Sequence, residues 1–285
     1  MSVVVTGATG HLGRLVVSSL LARGLPAHSI TATGRDTAKA TDLVERGVTV
    51  TPADFDDPAA LRAAFAGADT VLLVSGNEVG GRVAQHRNAV EAAKEVGVGH
   101  LVYTSLLRAD VSTLPLAPEH KATEEIITAS GLPHTLLRNG FYNEVYLDRI
   151  DHAREHGAVV GSAGEGRVAG AARADLAEAA AVVLLDPSAH VGAVYELVGD
   201  RSWTYADLAA AIGEVLGRTV PYQDLGPREH REVLLRAGLD EGTADFLVGL
   251  DAGIREGELH GEPGILSGLI GRPTTPLATT LRSRA

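Results

Sequence analysis

The chain opens with Ser2-Val-Val-Val-Thr-Gly7-Ala-Thr-Gly10-His-Leu-Gly13-Arg-Leu-Val-Val17, and this stretch decides the fold. Its first part contains three consecutive valines, which are typical of a buried strand. Three glycines follow, and the apolar residues after them recur at the spacing of a helix. The stretch therefore predicts a strand, a glycine-rich turn and a helix at the start of the chain.

The three glycines are spaced as G-x-x-G-x-x-G, and each has a physical role in a dinucleotide site. Gly7 lets the chain reverse, Gly10 lets the backbone approach a pyrophosphate, and Gly13 lets the helix pack closely on the strand. The free N–H groups of the first helical turn then face the phosphate oxygens. A tight strand-to-helix turn also favours glycine, but the flanking strand and helix favour dinucleotide binding.

The composition is that of an ordinary globular protein. A length of 285 residues suggests one large domain or two closely joined ones, and 45% hydrophobic residues suffice for a core. The net charge of −11 predicts neither a nucleic-acid partner nor a membrane partner. Because cysteine is absent and the 11 histidines lack metal-ligand spacing, we expect no metal. The first strand begins at once and no long apolar run follows, which predicts a cytoplasmic protein.

The residues after the second and third predicted strands bear on the choice of dinucleotide. Arg35 follows the strand at residues 29–33, at the position where an arginine pairs with the 2′-phosphate of NADP. Asp36 is better placed to cap the next helix, and the alternative for Arg35 is an exposed residue at that helix start. Asp54 follows the third strand, at residues 48–50, where a carboxylate can reach the adenine amino group. The sequence therefore favours NADP.

Small polar residues follow the fourth and fifth predicted strands. Residues 69–74 form a continuous apolar strand that ends in Ser75 and Gly76, and the strand from residue 100 ends in Thr104 and Ser105. Ligands of open parallel sheets bind beyond the carboxyl ends of the strands, so these residues are candidates by position. Each of them could equally cap a helix.

The sixth predicted strand, at residues 133–138, is followed by Asn139-Gly-Phe-Tyr-Asn143. This pentad mixes aromatic rings with amides at a strand end, where a flat substrate could be stacked and its carbonyl hydrogen-bonded. The alternative is a well-packed turn.

Five strand–helix repeats in this order predict an α/β fold, a Rossmann-type doubly wound parallel sheet. We expect an NAD(P)-binding domain at residues 1–155 and a smaller α+β substrate-binding region at residues 156–285. Short strands are expected at residues 159–160 and 168–169. No linker separates the halves, so we expect them to interleave, with the strand at residues 194–198 a candidate to join the main sheet.

Seven short stretches of the chain carry a family resemblance. They are residues 4–13, 85–88, 103–107, 119–120, 135–140, 173–175 and 270–275, and they include the strings Tyr-Thr-Ser-Leu-Leu at residues 103–107 and Leu-Leu-Arg-Asn-Gly at residues 136–140. Through them the chain as a whole resembles the NmrA-like group of the atypical short-chain dehydrogenase/reductase superfamily. Within that group it is similar to the type 2 NADPH-dependent quinone oxidoreductases and the triphenylmethane dye reductases, and the two strings are specific to few relatives.

The resemblance implies that a quinone is reduced by two-electron transfer from NADPH without a flavin. It also implies, by position, which residues bind the cofactor. They are Gly7, Ala8, Thr9, Gly10, His11 and Leu12 at the pyrophosphate, Arg35 at the 2′-phosphate, Val74, Ser75 and Gly76 near the ribose, and Arg138, Asn139, Gly140, Phe141, Tyr142 and Asn143 along the nicotinamide and quinone pocket.

The sequence departs from the larger superfamily in its proton donor. A typical member carries Y-x-x-x-K, whereas here Lys121 has Ala117 four residues before it. A quinone tolerates this loss because hydride addition yields an aromatic hydroquinone anion of low basicity, so that positioning and stabilisation of oxygen charge carry catalysis. We expect no dedicated general acid. The candidate donors, each of which could equally be structural, are Tyr142, Asn139, His86 and His120.

Two other functions fit the same residues. NmrA-like proteins include redox sensors that bind NADP without turnover, and the missing tyrosine is compatible with such a role. The protein could also reduce another flat acceptor, such as a triphenylmethane or azo dye. The sequence leaves the acceptor open, and it leaves the oligomeric state open with a homodimer as one alternative.

Overall fold

The computed structural model describes residues 1–284, which divide into two compact units. Each unit is assembled from separate stretches of the chain. Unit 1 consists of residues 1–109, 118–139 and 173–196, and unit 2 consists of residues 110–117, 140–172 and 197–284. The expected boundary at residue 155 is therefore displaced, since residues 140–155 belong to unit 2 and residues 173–196 to unit 1.

Nine strands form two sheets in the described part of the chain. They are β1 (Val3–Val5), β2 (Ile30–Gly34), β3 (Thr49–Pro52), β4 (Thr70–Leu73), β5 (His100–Leu106), β6 (His134–Asn139), β7 (Val159–Gly161), β8 (Val194–Leu197) and β9 (Tyr222–Asp224). The large sheet has the order β3-β2-β1-β4-β5-β6-β8, and every pairing from β3 to β6 is parallel. The expected doubly wound sheet is confirmed, and its strand order reverses beside β1, where such sheets bind ligands. In unit 2, β7 pairs with β9.

Twelve α-helices lie among the described residues. They are α1 (His11–Ala22), α2 (Thr41–Glu45), α3 (Pro58–Phe65), α4 (Arg82–Glu95), α5 (Ala117–Ser130), α6 (Asp148–His156), α7 (Arg173–Leu185), α8 (Tyr205–Leu216), α9 (Pro227–Arg236), α10 (Glu241–Arg255), α11 (Ile265–Ile270) and α12 (Leu277–Arg282). Local chemistry starts several of them. Asp57 caps α3 by accepting hydrogen bonds from two backbone N–H groups at 3.0 Å, and Pro58 supplies a preset φ at the first helical position.

Residues 173–196 belong to unit 1 because both of their elements pack there. Helix α7 packs on α1, and Arg23 of the loop after α1 pairs with Glu178 of α7 at 2.8 Å. Strand β8 lies beside β6 at the edge of the sheet. Unit 1 is therefore completed by residues that follow a segment of unit 2 in the sequence.

The core of unit 1 fills the space between the sheet and helices α3, α4 and α5. Phe65, Leu73, Val90, Tyr103 and Ile127 all belong to it, and each is at most 1% exposed. Truncating a large side chain in such a core typically costs about 3–5 kcal/mol. The strand ends that form the candidate site are therefore supported by a rigid layer.

Several short elements differ from expectation. Residues 168–169 form a single bridge, from Val168 to Trp203, instead of a strand. Strand β9 and helices α6, α11 and α12 were not predicted, because segments of three to nine residues carry little periodicity. Among residues 1–284, no helix has the length and apolar character needed to cross a bilayer. The same residues contain no group of three or more acidic or histidine side chains arranged to hold a metal ion.

Candidate cofactor and active site

The glycine-rich turn joins β1 to α1, and its backbone requires glycine at two positions. Gly7 has a φ of +59°, a left-handed conformation that residues with a Cβ rarely adopt. A Cβ on Gly13 would lie 2.5 Å from the Gly7 carbonyl oxygen, so the first turn of α1 packs directly on the preceding turn. Gly10 has no side chain to cap α1, and residues 11–14 contain no carboxylate. The positive end of the α1 dipole is thus suited to an anion.

The other residues predicted at the pyrophosphate differ in exposure. Ala8 is fully buried and donates its N–H to a carbonyl oxygen of β2 at 2.9 Å, and Leu12 is also buried. Thr9 is half-buried and lies against Gly34, where an added Cβ would come within 2.6 Å of its Oγ1. His11 is exposed. Ala8, Leu12 and the buried Gly13 therefore hold the turn in place, whereas Gly7, Gly10, Thr9 and His11 present its accessible surface.

Arg35 directly follows β2, and 59% of its side chain is exposed. Its guanidinium forms an ion pair with Glu78, a residue of the loop between β4 and α4 that the sequence did not single out. Asp36 accepts a hydrogen bond from the Ala38 N–H at 3.2 Å, which confirms its predicted capping role. Arg35 therefore stands at the end of β2 with its charge accessible to solvent.

Asp54 lies just after β3, and its carboxylate shapes the local backbone. The Asp54 Oδ1 atom accepts a hydrogen bond from the Asp56 N–H at 3.1 Å, which forms an Asx turn. Asp54 is half-buried, so part of the carboxylate is occupied by this turn and part remains accessible.

The backbone beyond β4 is held by side chains rather than by another strand. Each of the three N–H groups in residues 74–76 donates to one side-chain acceptor at 2.9–3.0 Å. The pairs are Val74 with Thr6 Oγ1, Ser75 with Thr104 Oγ1, and Gly76 with His86 Nε2. The candidate ribose segment is therefore fixed before any ligand binds.

His86 is fully buried and supports Gly76, and its hydrogen bonds identify its tautomer. The Thr123 hydroxyl donates to the Glu119 carbonyl oxygen at 2.8 Å, so it accepts from His86 Nδ1 at 3.0 Å. Nδ1 therefore carries the proton, while Nε2 accepts from the Gly76 N–H. Burial lowers the pKa of His86 to about 3, which keeps the ring neutral. His86 has no N–H left for a substrate, so it positions Gly76 instead of donating a proton.

His120 is also placed inside the protein. Its Nδ1 lies 2.8 Å from the Tyr103 hydroxyl, and the two side chains are 6% and 0% exposed. Burial lowers the pKa of His120 to about 3 and raises the pKa of Tyr103. At neutral pH His120 is therefore uncharged and joins α5 to β5, which argues against its predicted role as a proton donor.

Arg138 braces three elements of unit 1. Its guanidinium makes a bidentate contact with Glu124 of α5, at 3.0 and 2.7 Å, and reaches Glu196 of β8 at 2.9 Å. Ser105 of β5 donates to the same Glu124 carboxylate at 2.5 Å. Only 11% of the Arg138 side chain is exposed. While these ion pairs are intact, the guanidinium of Arg138 does not supply the contact with the cofactor that the sequence predicted.

The pentad at residues 139–143 contributes to both units. In unit 1, Asn139 is 6% exposed, and its Oδ1 has no hydrogen-bond partner within residues 1–284. In unit 2, an added Cβ on Gly140 would lie 2.9 Å from the Leu197 carbonyl oxygen, and the Phe141 ring meets a neighbouring tyrosine edge-on. Asn143 is fully buried, and neither polar atom of its amide is paired within the described residues. Tyr142 is half-buried.

Three predicted segments of unit 1 meet at the carboxyl ends of neighbouring strands of the sheet. Strand β1 lies between β2 and β4, so the glycine turn is flanked by the residue after β2 and by the segment after β4. A Cβ on Gly7 would touch Val74 at 3.4 Å, and Thr9 lies against Gly34. The structure thus brings together the turn, Arg35 and residues 74–76.

A parallel α/β sheet with a glycine turn, an open helix end and an arginine at its switch point defines a class, the dinucleotide-binding proteins of Rossmann type. Within this class the chain belongs to the NmrA-like family, whose profile matches residues 1–243.

Similar proteins match over nearly the whole chain. Quinone oxidoreductase 2 of Escherichia coli (strain K12) is 47% identical over 279 residues, which cover 98% of this chain and 97% of that protein. The crystal structure of the E. coli NADPH-dependent quinone oxidoreductase QOR2 complexed with NADPH is 46% identical, with a TM-score of 0.94 and coverage of 98% of both chains. The triphenylmethane reductase of Citrobacter sp., complexed with NADP(H), is 37% identical, with a TM-score of 0.94 and full coverage of both chains.

Proposed function

We propose that this protein is an NADPH-dependent quinone reductase, which transfers a hydride directly from the nicotinamide to a quinone without a flavin. The observation that carries the proposal is the convergence of the glycine turn, Arg35 and residues 74–76 at the carboxyl ends of β1, β2 and β4. The full-length likeness to a quinone oxidoreductase supports the same acceptor.

The residues at these strand ends fit the phosphate groups of a dinucleotide. A Cβ at Gly13 would collide with the backbone of the turn, so the close packing of the turn on α1 requires glycine at this position. In this arrangement the first N–H groups of α1 are directed towards a pyrophosphate. Arg35 offers a planar guanidinium for the 2′-phosphate. When bound, NADPH supplies the hydride and its two electrons. Asp54 is the residue we propose for the adenine, and His86 keeps Gly76 in place for the ribose.

The chain must also manage the charge that hydride addition leaves on the quinone oxygen. The product is a hydroquinone monoanion, which needs one proton and has low basicity. We propose two separate candidates for a hydrogen bond to this oxygen, the phenol O–H of the half-buried Tyr142 and the amide N–H of the buried Asn139. Water then provides the proton. We therefore propose catalysis by positioning and by hydrogen bonding, with no dedicated general acid.

The proposal is tested by mixing the purified protein with NADPH and a benzoquinone and following the absorbance of the reduced nicotinamide. We expect decay that depends on both the protein and the quinone, above the rate of the enzyme-free mixture. Gly13→Val, which fills the turn with side-chain atoms, should remove the activity. Absence of quinone-dependent decay would refute the proposal, and tight NADP binding without turnover of any acceptor would indicate a redox sensor.

A second candidate is the reduction of a triphenylmethane dye, which the 37% identity and TM-score of 0.94 to a triphenylmethane reductase favour. The donor site would be the same, so a panel of quinones, triphenylmethane dyes and azo dyes separates the two. The acceptor with the highest kcat/KM identifies the activity. We also propose a cytoplasmic location and a homodimer, which cell fractionation and sedimentation analysis would test.

A further inference from the structure

Glu78 lies in the loop between β4 and α4, and it forms an ion pair with the arginine expected to bind the 2′-phosphate. Its carboxylate contacts Arg35, and the two side chains are 43% and 59% exposed. The hydrogen bond from Gln85, together with Arg35, lowers the pKa of Glu78, so the carboxylate is ionised at neutral pH. A negative group thus stands where the phosphate of NADPH would meet Arg35.

Glu78 is held in this position independently of Arg35. Gln85, which is 5% exposed, donates through Nε2 to Glu78 Oε2 at 2.8 Å and to Asp56 Oδ2 at 3.0 Å. The Glu78 carbonyl oxygen accepts a hydrogen bond from the Arg82 N–H at 3.0 Å. The Glu78 carboxylate is therefore not a freely rotating surface group, and it would stay near Arg35 after the ion pair opened.

The base of the same loop is fixed by a nearly buried ion pair. Arg82, whose side chain is 4% exposed, donates to the Gly76 carbonyl oxygen at 2.8 Å and to Glu119 at 2.7 Å. Glu119 also accepts the Gly80 N–H at 2.7 Å. Because both ends of the loop are held, it cannot easily withdraw Glu78 when a nucleotide binds.

We propose that Glu78 determines the preference between NADPH and NADH, by competing with the 2′-phosphate for Arg35 and by accepting a ribose hydroxyl of NADH. This inference rests on the proposed function, because it concerns the same nucleotide site. Specificity here is the difference between the affinities for NADPH and NADH. The fixed negative charge of Glu78 repels the 2′-phosphate, which only NADPH carries, so it lowers the affinity for NADPH. Arg35 favours the phosphate and the carboxylate favours the 2′-hydroxyl, so both determinants stand side by side.

The strength of the effect follows from exposure and screening. An exposed ion pair is weak by itself, but here the ligand must break it and also approach a fixed carboxylate. We expect Glu78→Gln to tighten NADPH binding roughly two- to tenfold at low ionic strength. NADH has no 2′-phosphate, so it should bind no tighter than before. The advantage of the variant for NADPH should shrink as salt screens the charges.

The experiment is isothermal titration of NADPH, NADH, 2′,5′-ADP and 5′-AMP into the wild type and Glu78→Gln. The two adenosine fragments isolate the 2′-phosphate from the nicotinamide and from turnover. The matched control is Glu91→Gln, which removes the same charge from an exposed residue of α4. In an Arg35→Ala background, Glu78→Gln should tighten 2′,5′-ADP by a smaller factor, since the competition for Arg35 is gone.

The outcomes separate the two proposals. Selective tightening of NADPH and 2′,5′-ADP in Glu78→Gln, with no tightening of NADH or 5′-AMP, supports the inference. Equal changes for all four ligands, or no difference from Glu91→Gln, overturn it while leaving the proposed function intact. Failure of the wild type to bind either dinucleotide refutes both.

Discussion

Replacing Gly13 with alanine tests the packing on which the cofactor site depends. The new Cβ would lie 2.5 Å from the Gly7 carbonyl oxygen, 2.8 Å from the Gly7 carbonyl carbon and 2.9 Å from the Ala8 Cα. Backbone atoms surround it on this side, so no side-chain rotation can relieve the overlap. The overlap should cost about 1–3 kcal/mol, as other overpacking substitutions do.

A matched control separates this collision from the general effect of alanine in a helix. Gly249 lies within α10, and a Cβ there would meet only the Pro115 side chain, at an ordinary 3.6 Å. Gly249→Ala should therefore stabilise the protein by about 0.5–1 kcal/mol through helix propensity alone. The difference in unfolding free energy between the two variants should equal the steric cost of about 1–3 kcal/mol.

The assays are urea denaturation and NADPH titration on both variants. Displacement of the turn should weaken NADPH binding by about tenfold or more in Gly13→Ala, which corresponds to at least about 1.4 kcal/mol, and leave Gly249→Ala unchanged. Equal stability of the two variants, with equal affinity for NADPH, would refute the assignment of this turn as the pyrophosphate site.

Four further outcomes are expected. Arg35→Ala should weaken NADPH binding about tenfold or more and leave NADH nearly unchanged, by titration of both nucleotides. His86→Leu leaves the Gly76 N–H unpaired and should lower the free energy of unfolding by about 1–3 kcal/mol. Because the pKa of His86 is lowered, its stabilising contribution is complete above pH 6.5 and is lost as the pH falls towards about 3. In urea denaturation over that pH range, the free energy of unfolding of the variant should therefore decline less steeply than that of the wild type. Arg138→Met should destabilise the protein by about 3–5 kcal/mol, because it strands the Glu124 carboxylate, and Glu124→Met in the same chain should restore part of the loss. Tyr142→Phe should lower kcat for the quinone while the Kd of NADPH stays the same; an unchanged kcat would remove Tyr142 from the mechanism.

The elements with strong local signals were predictable from the sequence. Three consecutive valines became β1, and Asp57 followed by Pro58 became the capped start of α3. The bounds of strands shift by one or two residues because hydrogen bonding to neighbouring strands, which is not encoded locally, determines where a strand ends. Residues 168–169 illustrate this, since their valine and alanine find one bridge to Trp203 and no longer ladder.

The site was less predictable wherever a side chain's partner is distant in sequence. Arg138 looks like a cofactor residue beside a strand end, yet Glu124 and Glu196 lie 14 and 58 positions away and engage its guanidinium. His86 looks like a proton donor until the hydroxyl of Thr123, 37 positions later, fixes its tautomer. Glu78 lies in a loop without periodicity, so no pattern indicated that it would meet Arg35.

The discontinuous composition of unit 1 has a consequence for biosynthesis. A nascent chain that has emerged only to residue 155 lacks the carboxylate of Glu178 that meets Arg23 and the carboxylate of Glu196 that meets Arg138. It also lacks β8, so the edge of β6 offers its hydrogen-bonding groups to any other strand. Unit 1 is therefore incomplete until residues 173–196 have been synthesised, and we expect a recombinant fragment cut at residue 155 to aggregate rather than bind nucleotide.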